Sequence, residues 1–315
     1  MARRRKERGR ALNGVLLLDK PKGLSSNAAL QQVKRLFGAA KAGHTGSLDP
    51  LATGMLPICF GEATKFSQFM LDADKVYRAR GLLGIRTASG DTDSEIISQK
   101  GVPDFSAEDI DAVVQQFLGA SEQVPSMYSA LKYNGQPLYK LARQGIEIER
   151  KARPILISRI ELLDFDGKEF EIELHCSKGT YVRSLIDDIG EKLGCGAHVI
   201  ELHRISVDGF DATEMHTMEE LENLVEQRAA DSALSTLENL LLPVAATVDG
   251  LPEVELNDLL AHYIKQGQAV FVPNTKVEGQ VALLNREASD ENKFLGVGEM
   301  LDDGRIAPRR LVMTG

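Results

Sequence analysis

From Glu169 to Cys176 the chain reads Glu-Phe-Glu-Ile-Glu-Leu-His-Cys, apolar and polar residues in alternation. A period of two puts Phe170, Ile172, Leu174 and Cys176 on one side of a β-strand and the three glutamates with His175 on the other. Such a strand requires a sheet with one face on a core and one face in water. The segment Lys75–Leu83 makes a similar demand, with Tyr77, Ala79 and Gly81 opposite Val76, Arg78 and Arg80.

Helical signals lie between the strand signals. A short buried strand is expected over residues 14–19, then a helix capped by Ser25 or Ser26 whose Ala29, Leu30, Val33, Leu36 and Phe37 share one face, stopping at Gly38. Ser106 and Asp109 read as a capping box for a helix running to Gly119. A further helix is expected over 180–193. Strands and helices without βαβ repetition indicate an α+β fold around a mixed, mostly antiparallel sheet. Pro243, Gly250 and Pro252 punctuate a linker, followed by a helix near 257–265 and short strands over 269–272, 280–284, 294–298 and 305–313. The chain is thus expected to comprise a basic tail (1–10), a large domain (11–245) and a small β-rich domain (250–315).

Composition narrows the function. The 315 residues are 43% hydrophobic and 26% charged, enough for a sizeable core. No apolar run approaches the roughly 18 residues of a membrane span, and the basic start lacks a signal-peptide core, so a cytoplasmic protein is expected. Cys59, Cys176 and Cys195 are far apart and odd in number, against a disulfide framework and against zinc. The net charge of −9 hides an uneven spread. Residues 3–10 and 132–153 are basic, the latter through Lys132, Lys140, Arg143, Arg150, Lys151 and Arg153. Residues 214–238 are acidic. Local basic runs, not the total, decide whether a polyanion binds.

Gly43-His44-Thr45-Gly46-Ser47-Leu48-Asp49-Pro50-Leu51-Ala52-Thr53-Gly54 encloses one carboxylate and one imidazole among glycines. Asp49 precedes proline, which restricts its backbone and hence its carboxylate. The loop lacks the Gly-Lys-Ser/Thr end of a P-loop and the ligands of a metal site. It offers one carboxylate where glycoside hydrolysis normally takes two, and Ser47, His44 and Asp49 lack a nucleophile elbow.

Asp19-Lys20-Pro21-Lys22-Gly23-Leu24-Ser25-Ser26 followed by Gly43 to Pro50 resembles the signature of the TruB family of tRNA pseudouridine synthases. Lys75-Val76-Tyr77 is similar to that family's tyrosine motif, Lys178 to Leu185 to its arginine motif, and Gly196 to Arg204 to its late motif. Five ordered blocks make chance agreement improbable. The C-terminal part resembles the family's PUA-like RNA-binding domain.

The resemblance implies isomerisation of uridine 55 in the tRNA T-loop: the N1–C1′ bond breaks, the base turns, C5 joins C1′ and C5 loses its proton. It implies Asp49 as the carboxylate, which can stabilise charge at C1′, attack that carbon or remove a sugar proton. Tyr77, expected on the exposed face of its strand, is implied to stack on the base near C5. Arg183 is implied to pair with Asp49, with Tyr181 in the same pocket, Leu202 against the base, and Lys20 and Pro21 supporting the loop at the substrate site. His44 is implied to fill the stack left by the flipped base. Residues 124–153 match an insertion that closes over the T-loop, giving Lys132, Arg143, Arg150, Lys151 and Arg153 phosphates to meet. No metal or organic cofactor, no membrane and no obligatory protein partner is implied, and a monomer is expected. Ser94 and His203 depart from the family's pattern at positions expected to lie away from the catalytic set. The guide-RNA-dependent branch shares the motifs, and a non-catalytic tRNA-binding or tRNA-folding protein could keep the fold. The length and basic insertion favour a stand-alone enzyme, and intact Asp49, Tyr77 and Arg183 favour catalysis.

Overall fold

The computed structural model describes residues 9–207, 209–210, 212–227, 230–273, 275–289 and 293–313, without the side chains of 230–233. The basic run at residues 3–8, Arg228 and the Asp231 side chain lie outside these.

A nine-stranded mixed sheet carries the larger part of the chain, in the order His216–Thr217, Gly14–Lys20, Thr53–Phe60, Ala197–Val207, Lys75–Leu83, Glu169–Cys176, Arg153–Phe165 and Gly119–Gln123, with Ala42–His44 paired to Thr53–Phe60 off that path. Two contacts are parallel, the first with the second strand and the third with the fourth; the others are antiparallel. At its Gly14–Lys20 end the sheet is buried on both sides. Leu16, Leu18, Leu56, Ile58 and Phe60 face the main core with the helices Ser26–Leu36 and Val182–Lys192. The alternate residues Val15, Leu17, Met55, Cys59 and Val207 face a second cluster with Met70. Burial pushes the Cys59 thiol up to about 12 and Cys176 to about 11, so both stay protonated.

Toward Glu169–Cys176 the sheet becomes one-sided, as the alternation requires. Arg78 lies opposite Glu173 and Arg80 opposite Glu171 in the strand register, and the arginines bridge to Glu169, Glu171 and Glu173 on the wet face. Tyr77 is not on that exposed face: it shares the inner side with buried Ala79 and Leu83 and packs against the main core. The Lys75–Leu83 period already implied this, because residues 77 and 79 must share a side.

Other expectations shift at their ends. Ser25, not Ser26, caps the first helix by accepting from the Ala28 N–H. The capping box of Ser106 and Asp109 is present, but its helix passes into a 3-10 turn ending at Phe117, and Gly119 at φ +101° opens an edge strand. The helix expected from 180 begins at Val182, because Tyr181 is extended at φ −100°, ψ 104°. The strands Arg153–Phe165 and Ala197–Val207 are hard to read from sequence because each carries two register shifts that break the alternation. Thr53–Phe60 is buried on both faces and does not alternate.

The C-terminal part is a five-stranded sheet ordered Glu253–Leu256, Gln280–Asn285, Phe294–Met300, Arg305–Leu311 and Val270–Phe271, with the Asn257-capped helix Asp258–Lys265. Glu253–Leu256, unexpected from its sequence, pairs in parallel with Gln280–Asn285. The expected linker is packed instead of extended. Leu242 exchanges backbone hydrogen bonds with Val15, Thr247 and Val248 are buried, and Phe66 meets Phe294 edge-on at 5.4 Å in a cluster that joins the small sheet to the linker and to the helix Ser67–Asp72. Among the described residues no helix is long and apolar enough to cross a membrane.

Gly54 lies in register with Arg204, where Thr53–Phe60 runs beside Ala197–Val207. Its φ is +95°, and a Cβ added there would sit 2.3 Å from the Arg204 carbonyl oxygen and 2.8 Å from the Arg204 nitrogen, both backbone atoms that cannot swing aside. Gly54→Ala is therefore expected to lose about 2–4 kcal/mol of stability through overpacking and positive-φ strain together, read as a lowered urea midpoint at unchanged slope.

Candidate active site

The Gly43–Gly54 loop is pinned from several sides before any functional group is considered. Ser26 Oγ donates to the Leu48 carbonyl at 2.9 Å and accepts from the Leu48 N–H at 2.7 Å. The Gly23 N–H reaches the Pro50 carbonyl at 2.7 Å, and the Thr45 N–H the Pro57 carbonyl at 3.0 Å. Asp49 is thus held between fixed neighbours on both sides. Lys20 does not reach the substrate surface: it is fully buried, and its Nζ donates to the Pro21 and Leu24 carbonyls at 2.8 Å each. Burial lowers its ammonium to about 8, against the attraction of Asp49. It braces the loop from below.

Arg183, in the first turn of Val182–Lys192, projects into this site. Its Nε lies 3.0 Å from Asp49 Oδ2, one Nη is 3.1 Å from Asp91 Oδ2 and donates to the Ser89 carbonyl at 2.9 Å, and the other Nη donates to the Tyr128 carbonyl at 2.7 Å. The Arg183 side chain is 6% exposed and that of Asp91 5%, whereas Asp49 keeps 42%. Asp91 is the residue that sequence reasoning missed: it sits in the Ser-Gly-Asp-Thr-Asp-Ser run, where the only available signal was a turn composition. Ser89 Oγ donates to Asp91 Oδ1 at 2.5 Å and lies 2.7 Å from Ser94 Oγ, which also accepts from the Ser89 N–H. Ser94 is therefore one hydrogen bond from the group that holds Arg183, closer than expected. His203 instead bonds Thr53 Oγ1 at 2.9 Å, away from Asp49.

A cavity of about 430 Å³ opens over Asp49, lined also by Tyr77, Tyr181, Arg183, Leu202 and Arg204. The structure thus gathers Asp49, Tyr77, Arg183, Tyr181 and Leu202 from four separate segments. Ser129 to Leu131 of the insertion roof the same cavity. Gln123, also missed, fixes Tyr181 through paired bonds, accepting from its N–H at 2.7 Å and donating to its carbonyl at 3.1 Å. His44 stands outside the cavity lining, its Nδ1 buried with no hydrogen-bond partner; burial and then the nearby Arg204 charge hold its imidazole below the usual range and so neutral.

Burial pushes the Asp49 carboxyl up, Arg183 pulls it down, and Asp91 and Asp93 push it up again, with a net rise. The exposed part of Asp49 faces the cavity, so a bound ligand that expels its water would deepen that desolvation.

The insertion itself is a small unit. The Lys132–Tyr133 and Gln136–Pro137 hairpin and the helix Leu138–Ala142 pack on Met127, Leu138 and Leu141. Lys132, Arg143, Lys151 and Arg153 are exposed. Arg150 is not free for a phosphate: it donates to the Ile148 and Pro125 carbonyls at 3.1 Å each and pairs with Glu147 at 3.3 Å.

The Asp49–Arg183 pair, Tyr77 and the cavity thus come together on one mixed sheet. Residues 34–182 match the N-terminal domain of the TruB family pseudouridylate synthases, residues 183–249 the tRNA pseudouridylate synthase B C-terminal domain, and residues 252–312 the C-terminal domain of pseudouridine synthase II TruB. The tRNA pseudouridine synthase B of Tolumonas auensis is 53% identical over all of this chain and 97% of its own length. That of Coxiella burnetii is 54% identical, over 96% of each chain. Among solved structures, a Cbf5–Nop10–Gar1 complex superposes with a TM-score of 0.73 at 24% identity, over 96% of this chain and 86% of the other, a likeness of fold. The chain belongs to the TruB family of pseudouridine synthases.

Asp49→Asn is expected to abolish product formation without lowering thermal stability at pH 7. A carboxyl raised in the folded state favours protonation there, so its ionised form weakens the fold as pH rises through the raised value, and an amide removes that penalty. A fall of several degrees in melting temperature, or residual turnover, would contradict this.

Proposed function

We propose that this tRNA pseudouridine synthase isomerises uridine 55 of the T-loop, acting alone in the cytoplasm and without a metal or organic cofactor. The observation that carries the reading is the shared Arg183 bridge, which fixes the Asp49 carboxylate at the mouth of a cavity with Tyr77 on its wall. Residues 11–245 form the catalytic unit and 250–315 a PUA-like RNA-binding unit in this reading.

Asp49 addresses the C1′ side of the nucleotide, where its charge offsets positive charge as the N1–C1′ bond breaks. Tyr77 lies near C5 of the turned base and helps carry away its proton. Leu202 and Tyr181 hold the base, and Arg183 keeps the carboxylate oriented. A stacked uridine must leave its helix to reach this cavity. The neutral imidazole of His44 suits the apolar gap left behind, since an imidazolium would have to shed its hydration. The same binding surface can serve tRNA folding as well as modification.

Release of tritium from tRNA labelled at uridine C5 tests the reaction directly, and an unlabelled position 55 with release from another uridine would move the target. Tyr77→Phe keeps the ring and removes the hydroxyl; its single-turnover rate is expected to fall at least tenfold, and an unchanged rate would leave Tyr77 a packing role.

Phosphate contacts in this reading come from Lys132, Arg143, Lys151 and Arg153. Replacing Arg143, Lys151 and Arg153 by glutamine should flatten the slope of log affinity against log salt by about 2–3, at roughly 0.7–0.9 per phosphate lost. Arg150→Gln should instead lower stability while leaving the slope nearly unchanged. A slope that responds only to removal of residues 250–315 would put the footprint on the C-terminal unit.

A further inference from the structure

Arg204 is among the largest fully buried side chains, at 1% exposure, yet it forms no carboxylate ion pair among the described residues. A buried guanidinium without a counter-ion is costly unless its donors are all used. Its Nε donates to the Met55 carbonyl at 2.6 Å and one Nη to the Gly46 carbonyl at 3.0 Å, and the guanidinium lines the same cavity as the Tyr77 phenol, whose ionisation it favours. These partners belong to three separate segments, the Thr53–Phe60 strand, the Asp49 loop and the Lys75–Leu83 strand. Arg204 and Tyr77 are also register partners in the sheet, so their backbones fix the distance between them.

We propose that Arg204 is a positioning residue for the isomerisation, tying the Tyr77 hydroxyl to the loop that carries Asp49 so that phenol and carboxylate face the bound nucleotide as one unit. The inference rests on the reading of Tyr77 given above. With the cation beside the phenol oxygen, the phenol proton is directed away from Arg204 and toward the cavity. The titratable groups around the phenol are Arg204, the protonated Cys176 and Asp49, with Lys75 and Arg183 lining the same cavity. Burial raises the phenol, Arg204 opposes that rise, and Cys176 and Asp49 add to it. Arg204, beside the phenol in the sheet register, favours its ionised oxygen. Gly46 completes the arrangement: a Cβ there would lie 3.3 Å from an Arg204 Nη, so the loop approaches the guanidinium closely only as glycine, at φ +79°.

The test uses the full chain with tRNA at saturating concentration. Arg204→Lys keeps a buried positive charge but cannot reach all three segments at once. Its single-turnover rate is expected to fall at least 30-fold while tRNA affinity stays within threefold. In protein labelled with carbon-13 at tyrosine Cζ, the Tyr77 resonance, assigned by its loss in Tyr77→Phe, is expected to move and to titrate at higher pH. Gly46→Ala, which crowds the guanidinium without changing it, should move the same resonance and serves if Arg204→Lys does not fold. An unmoved Tyr77 resonance in a folded variant overturns the proposal, as does a moved resonance with a wild-type rate. Failure of the reading of Tyr77 has a different signature: Tyr77→Phe turns over normally while Arg204→Lys still moves the resonance, and the tie then plays no part in the reaction.

Discussion

One guanidinium organises the site. Arg183 is shared between Asp49, which faces the cavity, and Asp91, which is sealed behind it. Removing Asp91 or Arg183, both sealed from solvent, would leave the other as an uncompensated buried charge, at a cost of roughly 3–5 kcal/mol, whereas Asp49 keeps contact with the cavity. The arrangement therefore needs every surrounding group to hold its place: Ser89 and Ser94 for Asp91, Ser26 for the Leu48–Asp49 turn, and the Tyr128 carbonyl of the insertion for the second Nη. Because Tyr128 lies at the foot of the insertion, the segment that roofs the cavity is bonded directly to the residue that orients the carboxylate.

The sheet explains why these groups can converge. At one end it is buried on both faces, and there it supports the Asp49 loop rigidly; at the other it shows a wet face of crossed arginines and glutamates. The cavity falls at the transition, where the inner face of Lys75–Leu83 offers Tyr77 and the neighbouring strand Ala197–Val207 offers Leu202 and Arg204. Exposed ion pairs on the wet side contribute little stability individually. The core beneath them does most of that work.

Much of this was legible residue by residue. The alternation of 169–176, the Ser106–Asp109 capping box and the helix Ser26–Leu36 follow from local chemistry, and each is found in the fold. The ordered motifs pointed to the family to which the chain belongs. The strands Arg153–Phe165 and Ala197–Val207 were not legible, because each carries two register shifts that move the apolar set from one face to the other. The burial of Lys20 and the carbonyl partners of Arg150 were not legible for a common reason. A positive charge in a sequence does not say whether its ammonium or guanidinium meets solvent or is used up on carbonyls nearby.

By itself the sequence determined the kinds of element, the loop that presents Asp49 and the residue types available for chemistry, because these depend on neighbours within a few positions. Only the tertiary structure decided that Asp91 shares Arg183, that Gln123 fixes Tyr181, and that Arg204 joins Met55, Gly46 and Tyr77. Those contacts span up to 158 positions of chain between donor and acceptor. Their geometry is set by strand register and helix packing, which no local pattern encodes.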